Sequence, residues 1–161
     1  MSDRLIFLLA LFSVTGSGLI AGLFFAFSSF MMTALSRIPN EQGINAMQSI
    51  NATILNPTFG ALFTGTALTS IVLTVLSILR WGEPGSVYLL AAALLYLTGF
   101  IVTMAFNVPL NDALAAVEPA SSAGSEVWNA YLSKWTAWNH VRTVTSIGAM
   151  ILFVFALRHI P

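Results

Sequence analysis

The sequence predicts an all-α integral membrane protein, a four-helix bundle formed by a single domain over residues 1–161. Three observations lead to this fold class. The chain is 57% hydrophobic, and its mean hydropathy of +0.86 lies well above that of soluble domains. Charged residues make up only 7% of it. Four apolar runs are each long enough to cross a bilayer, which takes about 20 helical residues.

The first apolar run is free of charged residues between Arg4 and Arg37. It predicts a transmembrane helix over about residues 5–35. A secretory signal peptide is the alternative, but its apolar region spans only about 7–15 residues and ends in a cleavage site of small residues. We therefore expect a membrane-spanning helix here.

The other three runs predict spans over about residues 54–79, 87–107 and 135–157. Pro57 stands near the start of the second span, where its missing amide donor costs least. Pro109, in "NVPLND", is expected to end the third span. The loop-like stretch "EPASSAG" lies between the third and fourth spans.

The composition also excludes several classes of function. A net charge of zero gives no support for nucleic-acid binding. The absence of cysteine rules out disulfides, iron–sulfur clusters, thiolate metal sites and a cysteine nucleophile. His140 and His159 stand on one predicted helix about 28 Å apart, at about 1.5 Å per residue, and cannot bind the same ion within one chain, which leaves only a site shared with a second protomer. We therefore expect no metal and no cofactor.

Polar residues accumulate at one end of the predicted bundle. The start of the second span carries Asn51 and Asn56, and the end of the third carries Asn107 and Asn111. The segment "KWTAWNHVRT" opens the fourth span. These three places lie on the same side of the membrane, away from both termini. Their convergence predicts a pocket on that side.

The segment "KWTAWNHVRT" also has helical order. Trp135, Trp138, Asn139 and Arg142 follow the spacing i, i+3, i+4 and i+7, which places them on one helix face. His140 lies about 100° round from Asn139. An arginine at this depth normally faces the bundle interior, and Trp138 stands one turn away, where it can stack on the guanidinium. The candidate hydrogen-bonding and ionic partners of Arg142 are Asn107, Asn111, Asp112 and Glu41.

Simpler interpretations exist for several of these residues. Tryptophans near helix ends commonly anchor in the membrane interface. We expect this of Trp128, and it is an open alternative for Trp135 and Trp138. Intramembrane asparagines often form hydrogen bonds between helices, which is the favoured interpretation of Asn51 and Asn56 on the residues alone.

Four stretches resemble the anthrone oxygenase family of small membrane proteins. They are "GLIAGLFFAFSSFMMTAL", "AMQSINATILNPTFGALFTG", "FNVPLNDAL" and "WNAYLSKWTAWNHVRT", in the order of the family and over most of the chain. The combination of "NVPLN" with "WTAWNHVRT" is the specific part of the resemblance.

The resemblance implies an activity, since fungal relatives oxidise anthrones to anthraquinones with dioxygen and without a recognised metal or flavin. It implies a small hydrophobic aromatic or quinone-like ligand. Roles are expected for His140 as the base, for Arg142, Asn139 and Asn107 or Asn111 as oxyanion donors, for Trp135 and Trp138 as aromatic walls, and for Asn51 and Asn56 as further ligand contacts. It also implies a bacterial inner (cytoplasmic) membrane protein.

Three functions remain open at this point. The chain is a cofactor-independent oxygenase, a non-catalytic or transport-related protein that binds a lipid or small hydrophobic ligand, or an accessory subunit that docks a partner. Homo-oligomers are compatible with all three. The basic residues divide equally between the two sides of the membrane; only a buried role for Arg142 favours cytoplasmic termini.

Overall fold

The computed structural model describes residues 3–160 and consists, within that range, of five helices and their connections. They are α1 (Asp3–Leu35), α2 (Asn40–Thr53), α3 (Pro57–Leu79), α4 (Ser86–Ala115) and α5 (Ser122–Leu157). By length and composition, α1, α3, α4 and α5 are able to cross a membrane. The predicted all-α class with four spans is confirmed.

The four long helices pack as a bundle. Helix α5 lies against α1 and α4, and α3 lies against the same two helices from the other side. In the half near the termini, small residues such as Ala10, Ala92 and Ala149 are fully buried and let the helices approach closely. On the outer surface, Leu68, Ile101 and Val144 are each more than half exposed. A surface of this kind suits contact with lipid rather than water.

The end of the bundle near the termini is tied by a charged cluster. Arg80, just after α3, donates hydrogen bonds to Asp3 at the start of α1 and to Glu83 in the following turn. The bond to Asp3 is the main cause that raises the pKa of Arg80 above its ordinary value. This cluster fixes α1 against the α3–α4 connection.

Pro109 does not end the third span, so that prediction is wrong. The helix turns as a π-helix over Thr103–Asn107 and continues as an α-helix over Val108–Ala115. The amide of Val108 bonds to the carbonyl of Thr103, five residues back. Pro109 then falls in the first turn of the resumed α-helix, where an amide donor is not needed.

The fourth span begins earlier than the sequence predicts. Ser121 caps α5 by accepting a hydrogen bond from the amide of Gly124 at 2.9 Å, and the helix runs from Ser122 without interruption. The segment "KWTAWNHVRT" therefore lies inside α5 rather than at its start. The first part of α5, before Trp135, was not predicted as part of the span because its polar residues lower the hydropathy. They do not break the helix.

Helix α2 is the element that the sequence interpretation left as a connecting segment. Its buried residues Gly43, Ile44 and Met47 face the bundle, and the spacing of Ile44, Met47 and Ile50 is the signal that indicates an amphipathic helix. Ile54 ends α2, and Asn56 caps α3 by accepting a hydrogen bond from the amide of Phe59 at 3.0 Å. One helix thus stands where a connecting segment was expected.

A close contact between α1 and α3 generates a stability prediction. A Cβ added to Gly16 would lie 1.9 Å from the hydroxyl oxygen of Thr66, whereas one added to Gly22 would meet nothing within 4 Å. We expect Gly16→Ala to lower the free energy of unfolding by about 1–3 kcal/mol through overpacking. Gly22→Ala is the matched control in the same helix. Equal melting temperatures of the two variants in detergent would contradict the close contact.

Candidate ligand-binding site

A cavity of about 540 Å³ lies in the half of the bundle away from the termini, with walls from all five helices. Its size is typical of pockets for small molecules. Most of the wall is aliphatic or aromatic. The polar side chains on it are Asn51, Asn56, Thr64, Thr103, Asn111 and Arg142. No carboxylate or imidazole of the described residues lines it.

Two π-helical turns border the cavity. One is Phe27–Met31 in α1, and the other is Thr103–Asn107 in α4. Each gives side chains to the cavity wall, including Phe27 and Thr103. Because a π-turn is wider than an α-turn and is often found at functional sites, the two distortions help to place these side chains at the cavity.

Arg142 is the charged group of the site. It is 5% exposed, and its guanidinium carbon lies 4.1 Å from the ring centre of Phe24 and 4.8 Å from that of Trp135. The aromatic partners are therefore these two rings and not the predicted Trp138. Its Nη2 donates a hydrogen bond to Asn139 at 2.7 Å, while its buried Nε has no hydrogen-bond partner.

The charge of Arg142 has no counter-charge in the part of the chain that the structure describes. The ion pairs found within residues 3–160 both involve Arg80, at the other end of the bundle. None of the four predicted partners of Arg142 binds it; Asn139 does instead. A buried cation with aromatic neighbours but no anion favours a ligand that carries negative charge or develops it.

Asn139 lies behind Arg142 and holds it in place. It is fully buried, and its Nδ2 donates to the carbonyl of Phe24 at 2.8 Å and to the hydroxyl of Ser28 at 2.7 Å. These two bonds fix the amide so that its oxygen faces Arg142. Asn139 does not itself line the cavity. Its expected role as an oxyanion donor stays a prediction, and its position gives that role no support.

A second cluster of polar side chains connects three helices at the cavity. The hydroxyl of Tyr131 donates to Oδ1 of Asn111 at 2.8 Å and accepts a hydrogen bond from Nδ2 of Asn51 at 3.4 Å. Asn51 belongs to α2, Asn111 to α4 and Tyr131 to α5. Asn51 and Asn111 both line the cavity, so hydrogen bonding between helices and contact with a ligand are compatible for both.

Three aromatic rings of α5 stack on one another beside this group. Trp128, Tyr131 and Trp135 have successive ring centres 5.7 and 5.6 Å apart and nearly parallel planes. Trp128 is fully buried, so its predicted role as an interfacial anchor is wrong; α2 covers it. Trp135 contributes to the cavity wall.

The remaining predicted residues lie outside the cavity. Asn107 is fully buried and donates to the backbone carbonyl of Trp135 at 3.2 Å. Trp138 stacks on Phe106 with ring centres 3.8 Å apart. His140 is exposed on the outer face of α5. Its assignment as the base stays a prediction, and its position gives that assignment no support.

The structure thus brings together Asn51, Asn56, Asn111, Trp135 and Arg142 at one cavity. Sequence reasoning missed Tyr131 and Phe24. Tyr131 lies four residues before Trp135, and this helical spacing is a usable signal only if α5 is known to begin well before Trp135. Phe24 had no distinguishing signal among the phenylalanines of α1.

The cavity has an opening on the side of the bundle. Helices α3 and α4 pack together mainly through Ser86–Val102 and separate beyond that point. Thr64 of α3 and Met104 of α4 line the cavity and are both exposed. The space between these two residues is a candidate entrance to the cavity.

Within residues 3–160, no group of three histidine, cysteine or acidic side chains is arranged to hold a metal ion.

Comparison with known protein families gives a significant match. The sequence profile of the family described as anthrone oxygenase matches residues 55–152. No curated protein and no solved structure matches the chain significantly. Because the matched region covers more than half of the chain and contains Asn56, Asn111, Trp135 and Arg142, the chain belongs to the anthrone oxygenase family.

Proposed function

We propose that the cavity binds a flat aromatic ketone of the anthrone type as its anion and supports the oxidation of that anion by dioxygen. The observation that carries the proposal is the buried guanidinium of Arg142 at an apolar cavity, with no carboxylate paired to it among residues 3–160. Family membership supports the same chemistry.

The reaction needs no oxidant other than dioxygen. An anthrone loses a proton from the methylene carbon opposite its carbonyl, and the negative charge moves onto the oxygen. Dioxygen adds to that carbon and takes up the electron pair and a proton as a hydroperoxide, which then loses water to form the second carbonyl. One anthrone and one dioxygen give one anthraquinone and one water.

The residues of the cavity fit the first step. Arg142 stabilises the oxyanion, and this stabilisation makes the bound ketone more acidic. Phe24, Phe27 and Trp135 provide ring surfaces and exclude water around the charge, which strengthens the interaction with the guanidinium. The proton leaves to water at the membrane interface, since the cavity wall described here offers no carboxylate or imidazole.

His140 is the base in the alternative mechanism that the resemblance implies. A base on the outer face of α5 requires a proton path that passes around the helix. His140→Ala separates the two mechanisms. Loss of turnover in a folded protein would support His140, and unchanged turnover would remove it from the mechanism.

A second candidate function is binding of the same ligand class without turnover. The absence of a proton acceptor from the described cavity wall favours it. In that case the purified protein binds anthrones in the cavity but does not increase their consumption of dioxygen above the uncatalysed rate. The accessory-subunit alternative gains no specific support, because Arg142 and Asn139 face inward. We further propose an inner-membrane location with cytoplasmic termini, since Arg142 is buried and does not count as a loop charge.

Removal of the guanidinium tests the proposal. We expect Arg142→Met to lower anthrone-dependent oxygen uptake by roughly 100-fold or more, as the loss of an oxyanion donor does elsewhere. Methionine keeps an apolar stem between the rings of Phe24 and Trp135. Arg158→Met is the matched control, since this exposed arginine follows α5 outside the cavity. Equal activity of the two folded variants would overturn the role of Arg142.

The lateral opening gives a separate prediction. We expect Thr64→Trp to fill the gap between α3 and α4 and to lower the rate of ligand association at least tenfold. Leu68→Trp is the matched control: it lies one turn further along α3, is 59% exposed and does not line the cavity. Stopped-flow quenching of tryptophan fluorescence measures both rates. Similar rates in the two variants would place the entrance elsewhere.

A further inference from the structure

The guanidinium of Arg142 is held by a chain of neutral hydrogen-bonding groups that begins in another helix. We infer that Ser28 and Asn139 are positioning residues that orient the charge of Arg142 without neutralising it, so that the cavity prefers an anion to an uncharged molecule of the same shape. The inference rests on the proposed function, because it takes Arg142 as the group that binds the anion. It adds the residues that determine the charge preference, and neither of them lines the cavity.

The hydroxyl hydrogens along this chain have a fixed order. Thr143 donates its one hydroxyl hydrogen to the backbone carbonyl of Asn139 at 2.9 Å. The hydroxyl oxygens of Ser28 and Thr143 lie 2.8 Å apart, so the hydrogen between them comes from Ser28. The oxygen of Ser28 is then left as an acceptor, and Nδ2 of Asn139 donates to it at 2.7 Å. Each hydroxyl group therefore has a defined role.

This order fixes both ends of the Asn139 amide. Its NH₂ group donates to α1 twice, to Ser28 and to the backbone carbonyl of Phe24 at 2.8 Å. A rotated amide would place its oxygen against these two acceptors, which would repel it. Oδ1 therefore points to Arg142, whose Nη2 donates to it at 2.7 Å. Because Ser28 lies in the π-turn Phe27–Met31, one turn after Phe24, one face of α1 supplies both acceptors.

The other end of the Arg142 guanidinium is left for a ligand. Its Nη1 forms no hydrogen bond within residues 3–160 and is not one of the fully buried unpaired atoms. Since Arg142 lines the cavity, a bound molecule is able to reach this nitrogen. The two ends of the guanidinium thus differ, because Nη2 is held by Asn139 and Nη1 is available.

The neutrality of Asn139 determines what Arg142 offers to a ligand. An aspartate has nearly the same shape, and its carboxylate, in place of an amide oxygen 2.7 Å from Nη2, would form a buried ion pair with Arg142. Opposite charges at this distance largely cancel each other's field in the cavity. An amide accepts the same hydrogen bond and leaves the positive charge uncompensated. The choice of asparagine therefore preserves the attraction for an anion.

Two flat probes of nearly equal size test the charge preference. They are anthracenecarboxylate and its uncharged amide, anthracenecarboxamide, titrated at neutral pH against the detergent-solubilised full chain by quenching of tryptophan fluorescence. The anion preference is the dissociation constant of the amide divided by that of the carboxylate. Partition of the probes into detergent is the same for every variant, so differences between variants come from the protein. We expect the anion preference of the wild-type protein to be at least tenfold higher than that of Arg142→Met.

Ser28→Ala tests the chain at its far end. It should lower the anion preference about fivefold, the equivalent of one hydrogen bond, because the amide of Asn139 loses one of its two anchors. Ser29→Ala is the matched control in the same π-turn, since its exposed hydroxyl bonds to the carbonyl of Phe25 at 2.7 Å. This control should keep the wild-type preference. Ser28→Thr restores a hydroxyl and should recover most of the loss, whereas a general loss of packing would weaken both probes alike.

Asn139→Asp tests the neutrality of the chain. It should lower the anion preference to that of Arg142→Met, and Ser28→Ala carries the test if this variant does not fold. A full anion preference in folded Ser28→Ala or in folded Asn139→Asp overturns the inference and leaves the role of Arg142 intact. A wild-type preference no higher than that of Arg142→Met contradicts the proposed function, and the inference fails with it.

Discussion

The placement of one guanidinium inside an apolar bundle determines much of the rest of the site. Transferring an arginine side chain from water to the protein interior costs several kcal/mol of desolvation free energy. Cation–π contacts with two aromatic rings offset about 0.5–2 kcal/mol each. The hydrogen bond to Asn139 offsets part of the remainder. Asn139 can give it only because Phe24 and Ser28 of α1 orient its amide. The cation is therefore supported by neutral groups, and its field stays available to a ligand.

The cavity exists because the two halves of the bundle are built differently. Near the termini, alanines at the helix contacts close the interior. In the other half, large side chains such as Phe27 and Trp135 meet at α1 and α5, with their rings 5.4 Å apart. The π-turns in α1 and α4 widen those helices at the same level. Helix α2 then packs over Trp128 and Tyr131 and contributes Met47, Ile50 and Asn51 to the cavity wall.

The spans and their polar end could be predicted from the sequence because hydropathy and topology are properties of whole segments. Four apolar runs force both termini to one side, and this alone brought Asn51, Asn111 and Arg142 together. The partner of Arg142 could not be predicted in the same way. The choice between Trp138 and Trp135 depends on how α5 is rotated against α1, which helical spacing does not determine. The π-turns could not be predicted, because the hydropathy pattern does not distinguish a π-turn such as Thr103–Asn107 from an α-turn.

The proposed function combines a cation with a described cavity wall that holds no carboxylate or imidazole. A site that stabilises an anion but offers no base in its described wall suits a substrate that is already a fairly strong carbon acid. Anthrones meet this condition, because loss of the methylene proton makes the central ring aromatic. Such a molecule and dioxygen both dissolve in hydrocarbon, and the proposed entrance between Thr64 and Met104 would open to that phase. In the proposed reaction the membrane therefore delivers both reactants, and Arg142 stabilises the anion that reacts.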